Sequence, residues 1–331
     1  MTIRRRAIPT TDLVLLAVAL VWGSSYLAAK DVTAVAPVVV VLALRYASSA
    51  AALIPLAAAC RRPTRLEITT GIVLGCTQAA VLTLETFGVA HTSATNAGLI
   101  ISLTVVFTPV LSNARSRTWL PAPFFVAAAL AVVGVDLLVS GHGFQAPTWG
   151  DALMLAAAGV RAVHVTLIGE LTQAKEIDNL ILAAVQTVVG AVLLGAVALP
   201  GLTRQVPELS SASWVRLTYL ALVCSVFAFL AQTWAVRRTS PSRASLLMGT
   251  EPVWAVAVGI GIGGERLTAL AAAGAVLIVA ATIAGQRIER EHSVRHTPTG
   301  AWACSSTSAP PTTSAVAVSY THLTLPTKRI V

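Results

Sequence analysis

The chain has 331 residues, of which 56% are hydrophobic and only 11% charged, with a mean hydropathy of +0.78. A soluble domain of this size carries about twice that share of charge, so soluble enzymes and soluble binding modules are excluded. The net charge of +9 would suggest nucleic acid in a soluble protein, but the arginines fall mostly between apolar runs, where they set orientation in a membrane.

Aromatic residues make up 5% of the chain. With Ala, Val, Leu and Gly dominant, this composition suits helices packed through small residues better than an aromatic-girdled β-barrel. The expected fold class is therefore an all-α membrane protein. Cys60, Cys76, Cys224 and Cys304 have no paired spacing, so neither a disulfide framework nor a metal site is expected. No cofactor, no metal and no nucleic-acid partner is called for; the expected partners are membrane lipid and a small-molecule substrate, with protons as a candidate coupling ion.

Arg4, Arg5 and Arg6 precede a first apolar span from about Asp12 to Ala29. This resembles a secretory signal but is longer than a usual signal core, and many spans follow it. The second span, Ala36 to Ala59, contains Arg45 and ends at the polar corner Arg61, Arg62, Pro63, Thr64, Arg65; the third, Thr69 to Ala90, contains Gln78 and Glu85. The fourth runs from Thr95 to Asn113 and the fifth from Pro121 to Val139, with Asp136 near its end. A linker from Ser140 to Gly150 divides the chain. Spans six to ten follow at Asp151 to Ile168, Leu180 to Leu199, Trp214 to Val236, Ser242 to Ile262 and Leu267 to Gly285. A helix rises about 1.5 Å per residue, so runs of about 20 residues cross a hydrocarbon layer of about 30 Å.

Ten spans with a cytoplasmic N-terminus place Arg4, Arg5, Arg6, Arg61, Arg62, Arg65, Arg115, Arg117, Lys175, Arg237, Arg238, Arg243, Arg287 and Arg290 inside. Only Lys30, Arg204, Arg216 and Arg266 fall outside. That asymmetry fits the positive-inside rule, and both ends are expected in the cytoplasm of a bacterial cell whose inner membrane the chain crosses.

The two halves are alike. At an offset of 147, Thr92-Ser93 matches Thr239-Ser240, and Ala97, Val106 and Leu120 recur as Ala244, Val253 and Leu267. Five spans per half make the second half enter from the opposite side, an inverted repeat of the kind that gives alternating access to a midplane site. The expected organisation is an N-terminal segment 1–11, a first repeat 12–139, a linker 140–150, a second repeat 151–286 and a cytoplasmic tail 287–331. From His292 the chain turns rich in Ser, Thr and Pro and is expected to be disordered. Its ending, Ser319 to Val331, reads as translated vector or adapter sequence, or as the product of a frameshift or an assembly error.

Within the ninth span Glu251 is followed by Pro252, an ionisable group and a helix breaker that only protein or water can cover at that depth. The corner Gly263, Gly264, Glu265, Arg266 then leads into the last span, whose Gly274 admits a close neighbour. Together with Val21-Trp22-Gly23-Ser24-Ser25, Leu44-Arg45-Tyr46, Gln232 and Thr239-Ser240, these motifs in this order resemble an EamA-like transporter of the drug/metabolite transporter superfamily. The resemblance implies two five-helix repeats and export or uptake of small metabolites, often amino acids, through a central cavity. The first half departs from the pattern: Val105 stands opposite Pro252 and Thr118 opposite Glu265, so a bend in the fourth span is ascribed to Pro109, and Glu265 is assigned to the corner.

Arg161 and His164 lie three apart on the sixth span and share a face. Aligning Asp12 with Asp151 makes them counterparts of Trp22 and Ser25. Arg161 either holds a substrate carboxylate or forms an ion pair with Glu85, Asp136 or Glu251. His164 is a candidate proton relay or a packing residue. Glu85, two turns from Gln78, is a proton-coupling carboxylate or the neutraliser of Arg161 or Arg45, and Glu251 has the same two readings. Trp22 is a substrate-stacking or packing residue. Ser25, Gln78, Asn96, Gln186 and Gln232 offer uncharged hydrogen-bonding groups for a cavity or between helices. Arg45 is read as structural, snorkelling or paired.

The function expected is export of small zwitterionic or anionic metabolites by alternating access. Multidrug or cationic-compound efflux is the alternative, with an intramembrane enzyme or a scaffold as rivals from other classes. No His-Glu-x-x-His, Walker loop or serine elbow occurs, so no catalytic residue and no enzyme activity is expected.

Overall fold

The computed structural model describes residues 9–92, 97, 100–116, 119–140, 148–254, 257–258 and 268–296. The described residues are helical, without a strand. In chain order the helices are α1 (Thr10–Thr33), α2 (Val38–Cys60), α3 (Arg65–His91), α4 (Thr104–Ser116), α5 (Ala122–Ser140), α6 (Trp149–Thr172), α7 (Asn179–Gln205), α8 (Ser211–Val236), α9 (Pro241–Met248) and α10 (Ala269–His296). Seven of these, all but α4, α5 and α9, contain stretches long and apolar enough to cross a membrane.

Helix starts follow local chemistry. Thr64 and Glu67 form a capping box that begins α3 one turn before the expected Thr69, and Thr148 with Asp151 does the same for α6. Asp178 caps α7 by accepting from the amides of Leu180 and Ile181. At its far end α10 runs on to His296, past the expected stop at Gly285.

Polar contacts between helix ends sort into two levels. One end of the bundle collects Arg61 with Glu67 (2.6 Å), Arg115 with Glu170 (2.6 Å), Arg243 with Asp12 (2.5 Å) and Ser240 with Glu289 (2.7 Å). Arg237 binds the Ile177 carbonyl and Asn179 at this same end. The other end holds Arg216 with Asp31 (3.2 Å) and Thr92 with Asp151 (2.5 Å). These pairings put both ends of α1, α3, α6 and α8 where opposite travel of successive helices requires them.

The halves interdigitate: α2 packs on α7, and α3 on both α6 and α7. Close approach depends on missing side chains at a few positions. A Cβ on Gly190 of α7 would lie 2.3 Å from the ring of Tyr46 on α2, and one on Gly134 of α5 would lie 3.0 Å from the Gly274 carbonyl of α10. Gly274 thus has the close neighbour that its sequence position suggested.

Two helices are interrupted at depth. In α8, Leu222–Phe227 form a π-helical turn. Beyond α9, Gly249 and Thr250 turn before helix resumes at Glu251–Trp254.

Candidate functional site

Arg161 lies midway along α6 and is 8% exposed. Its Nη1 donates to Glu251 Oε2 (2.9 Å), and its Nε lies 3.0 Å from Glu85 Oε1. The two expected readings of its partners therefore meet at one residue: Arg161 holds a carboxylate from α3 on one side and one from the second half on the other. Asp136, the third candidate partner, is on the exposed side of α5. The Arg161 guanidinium also lies 4.7 Å from the centroid of the Trp22 ring. Residues that the alignment of the two halves makes counterparts thus touch each other.

Glu251 is 2% exposed and sits directly after the turn in the ninth span. Besides Arg161 it accepts from the Tyr26 hydroxyl at 2.5 Å. Both of its oxygens are therefore engaged by aligned donors. Glu85, 7% exposed, is held differently: its Oε1 is close to Arg161 but receives no aligned hydrogen bond.

A second polar cluster joins α1, α2 and α8. A π-helical turn frees backbone carbonyls that must find other donors in an apolar surround. Trp22 Nε1 donates to the Cys224 carbonyl (3.0 Å), Ser49 Oγ to the Ala221 carbonyl (3.0 Å), and Arg45 Nε to Ser225 Oγ (2.7 Å). Arg45 Nη2 also reaches the Cys224 carbonyl at 3.3 Å. Trp22 belongs to both clusters, with its ring on Arg161 and its indole N–H on α8.

Between them lies a cavity of about 30 Å³, lined by Trp22, Ser25, Tyr26, Arg45, Gln78, Glu85, Thr86, Arg161 and Glu251, with Ala29, Leu82 and Val89 as its apolar wall. That is room for one or two waters. On the other face of the Arg161–Glu251 pair is a smaller void of about 10 Å³, lined by residues of α4 and the ninth span including Thr104, Val105 and Gly249.

Of the residues singled out from the sequence, Trp22, Ser25, Gln78, Glu85, Arg161 and Glu251 come together at this cavity. Three others do not. His164 is buried one turn further along α6, where Nδ1 pairs with Thr77 Oγ1 of α3 (2.8 Å). Gln232 donates to the sulfur of Met248 (3.5 Å), and Gln186 is buried in α7, against α3. Asn96 lies outside the described residues, as do Glu265 and the glycine corner.

The sequence reading missed Tyr26 and placed Arg45 in the scaffold. Tyr26 follows Trp22 by one helical turn, so a shared face was available as a signal. Arg45 faces the cavity because α2 packs against the π turn of α8, which no spacing within α2 reveals.

A helical bundle with apolar spans and a polar cavity lined from both of its halves defines a multi-pass membrane protein. The EamA-like transporter family matches residues 9–140 and again 148–284, and the chain belongs to that family. It is accordingly a membrane transporter of two repeats, in the drug/metabolite transporter superfamily.

An uncharacterized transporter of Archaeoglobus fulgidus is 27% identical over 213 residues, covering 64% of this chain and 67% of that protein. An uncharacterized inner membrane transporter of Escherichia coli K12, YedA, is 29% identical over 153 residues, 44% of this chain and 46% of its own length. The aligned part thus spans about half of the E. coli relative. A solved structure titled "Crystal structure of protein" superposes with a TM-score of 0.70 at 16% identity, covering 86% of this chain and 99% of that one. At that identity the likeness concerns the fold.

Proposed function

We propose that the protein exports small zwitterionic or anionic metabolites, amino acids among them, across a bacterial inner membrane by alternating access. Ten spans form two inverted five-helix repeats, residues 12–139 and 151–286, joined by the linker 140–150, with both ends and the tail from residue 287 in the cytoplasm. The basic end of the bundle, which carries Arg61, Arg115, Arg237 and Arg243, supports that orientation.

The observation that carries the reading is the small polar cavity at the Arg161, Glu85 and Glu251 cluster, which draws its charges from both repeats. Ionisable groups at such depth are costly and are kept where a polar solute must pass. A cavity that admits only a water or two has to widen for a solute to pass, and separation of the repeats, alternately on each side, is the proposed way. Trp22, Ser25, Gln78, Glu85, Arg161 and Glu251 are the proposed lining. His164, Gln186 and Gln232 serve helix contacts in this reading.

Glu85 and Glu251 are ion-pair partners of Arg161 rather than proton carriers, since one guanidinium already bridges them. An imposed pH gradient is then expected to leave flux unchanged. A gradient-dependent flux abolished by Glu85→Gln would reverse that assignment.

Counterflow in proteoliposomes with pooled labelled amino acids tests the function. Saturable exchange by the wild type, lost in Arg161→Ala, is the expected result. Exchange confined to cationic compounds would replace the metabolite reading with efflux of cations.

A further inference from the structure

Arg45 and Arg161 face one cavity but differ in what compensates them. Arg161 has two carboxylates and an aromatic face. Arg45, 6% exposed, hydrogen-bonds only neutral acceptors, the Ser225 hydroxyl and the Cys224 carbonyl, and makes no direct ion pair with a carboxylate among the described residues; Glu85 attracts it only through space, across the cavity. A guanidinium out of water that hydrogen-bonds only neutral groups keeps capacity for an anion. The opposite deficit lies across the cavity. Glu85 Oε1 is buried without an aligned donor, and Arg161 is shared by two carboxylates, leaving that cluster one negative charge in excess.

The cavity is thus dipolar. One wall, on α2, is cationic; the other carries the carboxylates of Glu85 on α3 and Glu251 on the ninth span around the single guanidinium of Arg161, and is net anionic. We propose that Arg45 is the carboxylate-binding residue of the substrate site and Glu85 the acceptor for an ammonium group of the same solute, so that the site selects zwitterions. This rests on the transporter reading above and moves the anion-binding role from Arg161 to Arg45. Arg161 instead fixes Glu85 and Glu251 in place.

The charged and titratable groups sharing the cavity with Glu85 are Tyr26 of α1, Arg45 of α2, Arg161 of α6 and Glu251, with His164 one turn from Arg161. Arg45, Arg161, Glu85 and Glu251 sum to zero formal charge, so a zwitterion enters without changing the charge of the site. A carboxylate alone or an amine alone leaves one wall uncompensated.

The test is counterflow by the full chain in proteoliposomes with three matched pools: alanine, leucine and phenylalanine, the amines that lack their carboxylates, and the carboxylates that lack their amino groups. The wild type is expected to exchange only the zwitterions. Arg45→Gln should weaken their apparent affinity by about tenfold or more, the value of a charge-assisted hydrogen bond, while Arg45→Lys retains most of it. Since Arg45 also holds the π turn, Arg45→Gln could fail to fold, and Glu85→Gln then decides: its preference should pass from zwitterions to the matched carboxylates.

Wild-type exchange of amines or carboxylates as fast as zwitterions overturns the proposal while leaving the transporter reading intact. A folded Arg45→Gln protein with unchanged zwitterion affinity, or a Glu85→Gln protein with unchanged preference, does the same. Absence of exchange for all three pools sinks both readings.

Discussion

In the fourth span the amide of Leu103 bonds to the Ile100 carbonyl (3.1 Å) and that of Val106 to Leu103 (2.9 Å). In the ninth, Thr250 bonds to Leu247 (3.2 Å) and Val253 to Thr250 (3.0 Å). The offset of 147 that relates the repeats carries Ile100, Leu103 and Val106 onto Leu247, Thr250 and Val253. The two helices therefore turn at equivalent positions with equivalent i→i+3 bonds, although only the second has a proline directly at the turn. In the first half, where a bend was ascribed to Pro109, the turn lies at Leu103, six residues before that proline. The turn thus recurs in both repeats with its proline differently placed.

What the repeats do not share is the residue after the turn. Glu251 occupies it in the second half and binds Arg161 and Tyr26; Thr104 occupies it in the first and donates to the carbonyls of Ile101 (2.7 Å) and Ala158 (3.4 Å). One backbone feature thus serves two ends: in one half it places a charge at the cavity, and in the other it ends in a neutral helix contact.

Four substitutions would break or sharpen this comparison, each read by thermal unfolding of the purified protein in detergent. Glu251→Ala should cost most, about 3–5 kcal/mol, because Arg161 loses its best-aligned partner inside the bundle. A loss below about 1 kcal/mol would mean that Glu85 alone suffices for Arg161. Next is Gly249→Ala. Its Cβ would meet Val105 Cγ2 at 2.1 Å where the two turned spans cross, and about 1–3 kcal/mol is expected, with Val105→Ala restoring part of it. No recovery in the double variant would show that the strain lies elsewhere.

Thr104→Ala, the neutral counterpart of the Glu251 change, should cost about 1 kcal/mol, the worth of one ordinary buried hydrogen bond. A cost equal to that of Glu251→Ala would erase the contrast between the halves. Smallest is Pro252→Ala, expected within about 1 kcal/mol of wild type, since the first half makes the same turn with Val105 at the equivalent position. A large loss would return the proline to the centre of the account.

Much of the fold was legible because membrane crossing leaves a coarse imprint. Runs of about 20 apolar residues and arginines between them are local features that any one segment displays. The cavity was legible in part. Trp22, Ser25, Gln78, Glu85, Arg161 and Glu251 stood out as polar groups at a depth where lipid penalises them, and they do meet. Gln186, Gln232 and His164 stood out for the same reason and went elsewhere, because a polar residue in a span can be satisfied as well by a neighbouring helix as by a cavity.

By itself, the sequence determined the class of protein, the approximate places of most described helices and the existence of two related halves, since each follows from hydrophobicity and repetition along the chain. Only the tertiary structure decided that Arg161 bridges Glu85 and Glu251, that Tyr26 completes Glu251, and that Arg45 reaches the cavity without a carboxylate of its own. Those contacts join residues as much as 225 positions apart. Pairing at that range depends on how helices rotate and cross, and the single oxygen or guanidinium edge left without a partner is fixed only once every neighbour is in place.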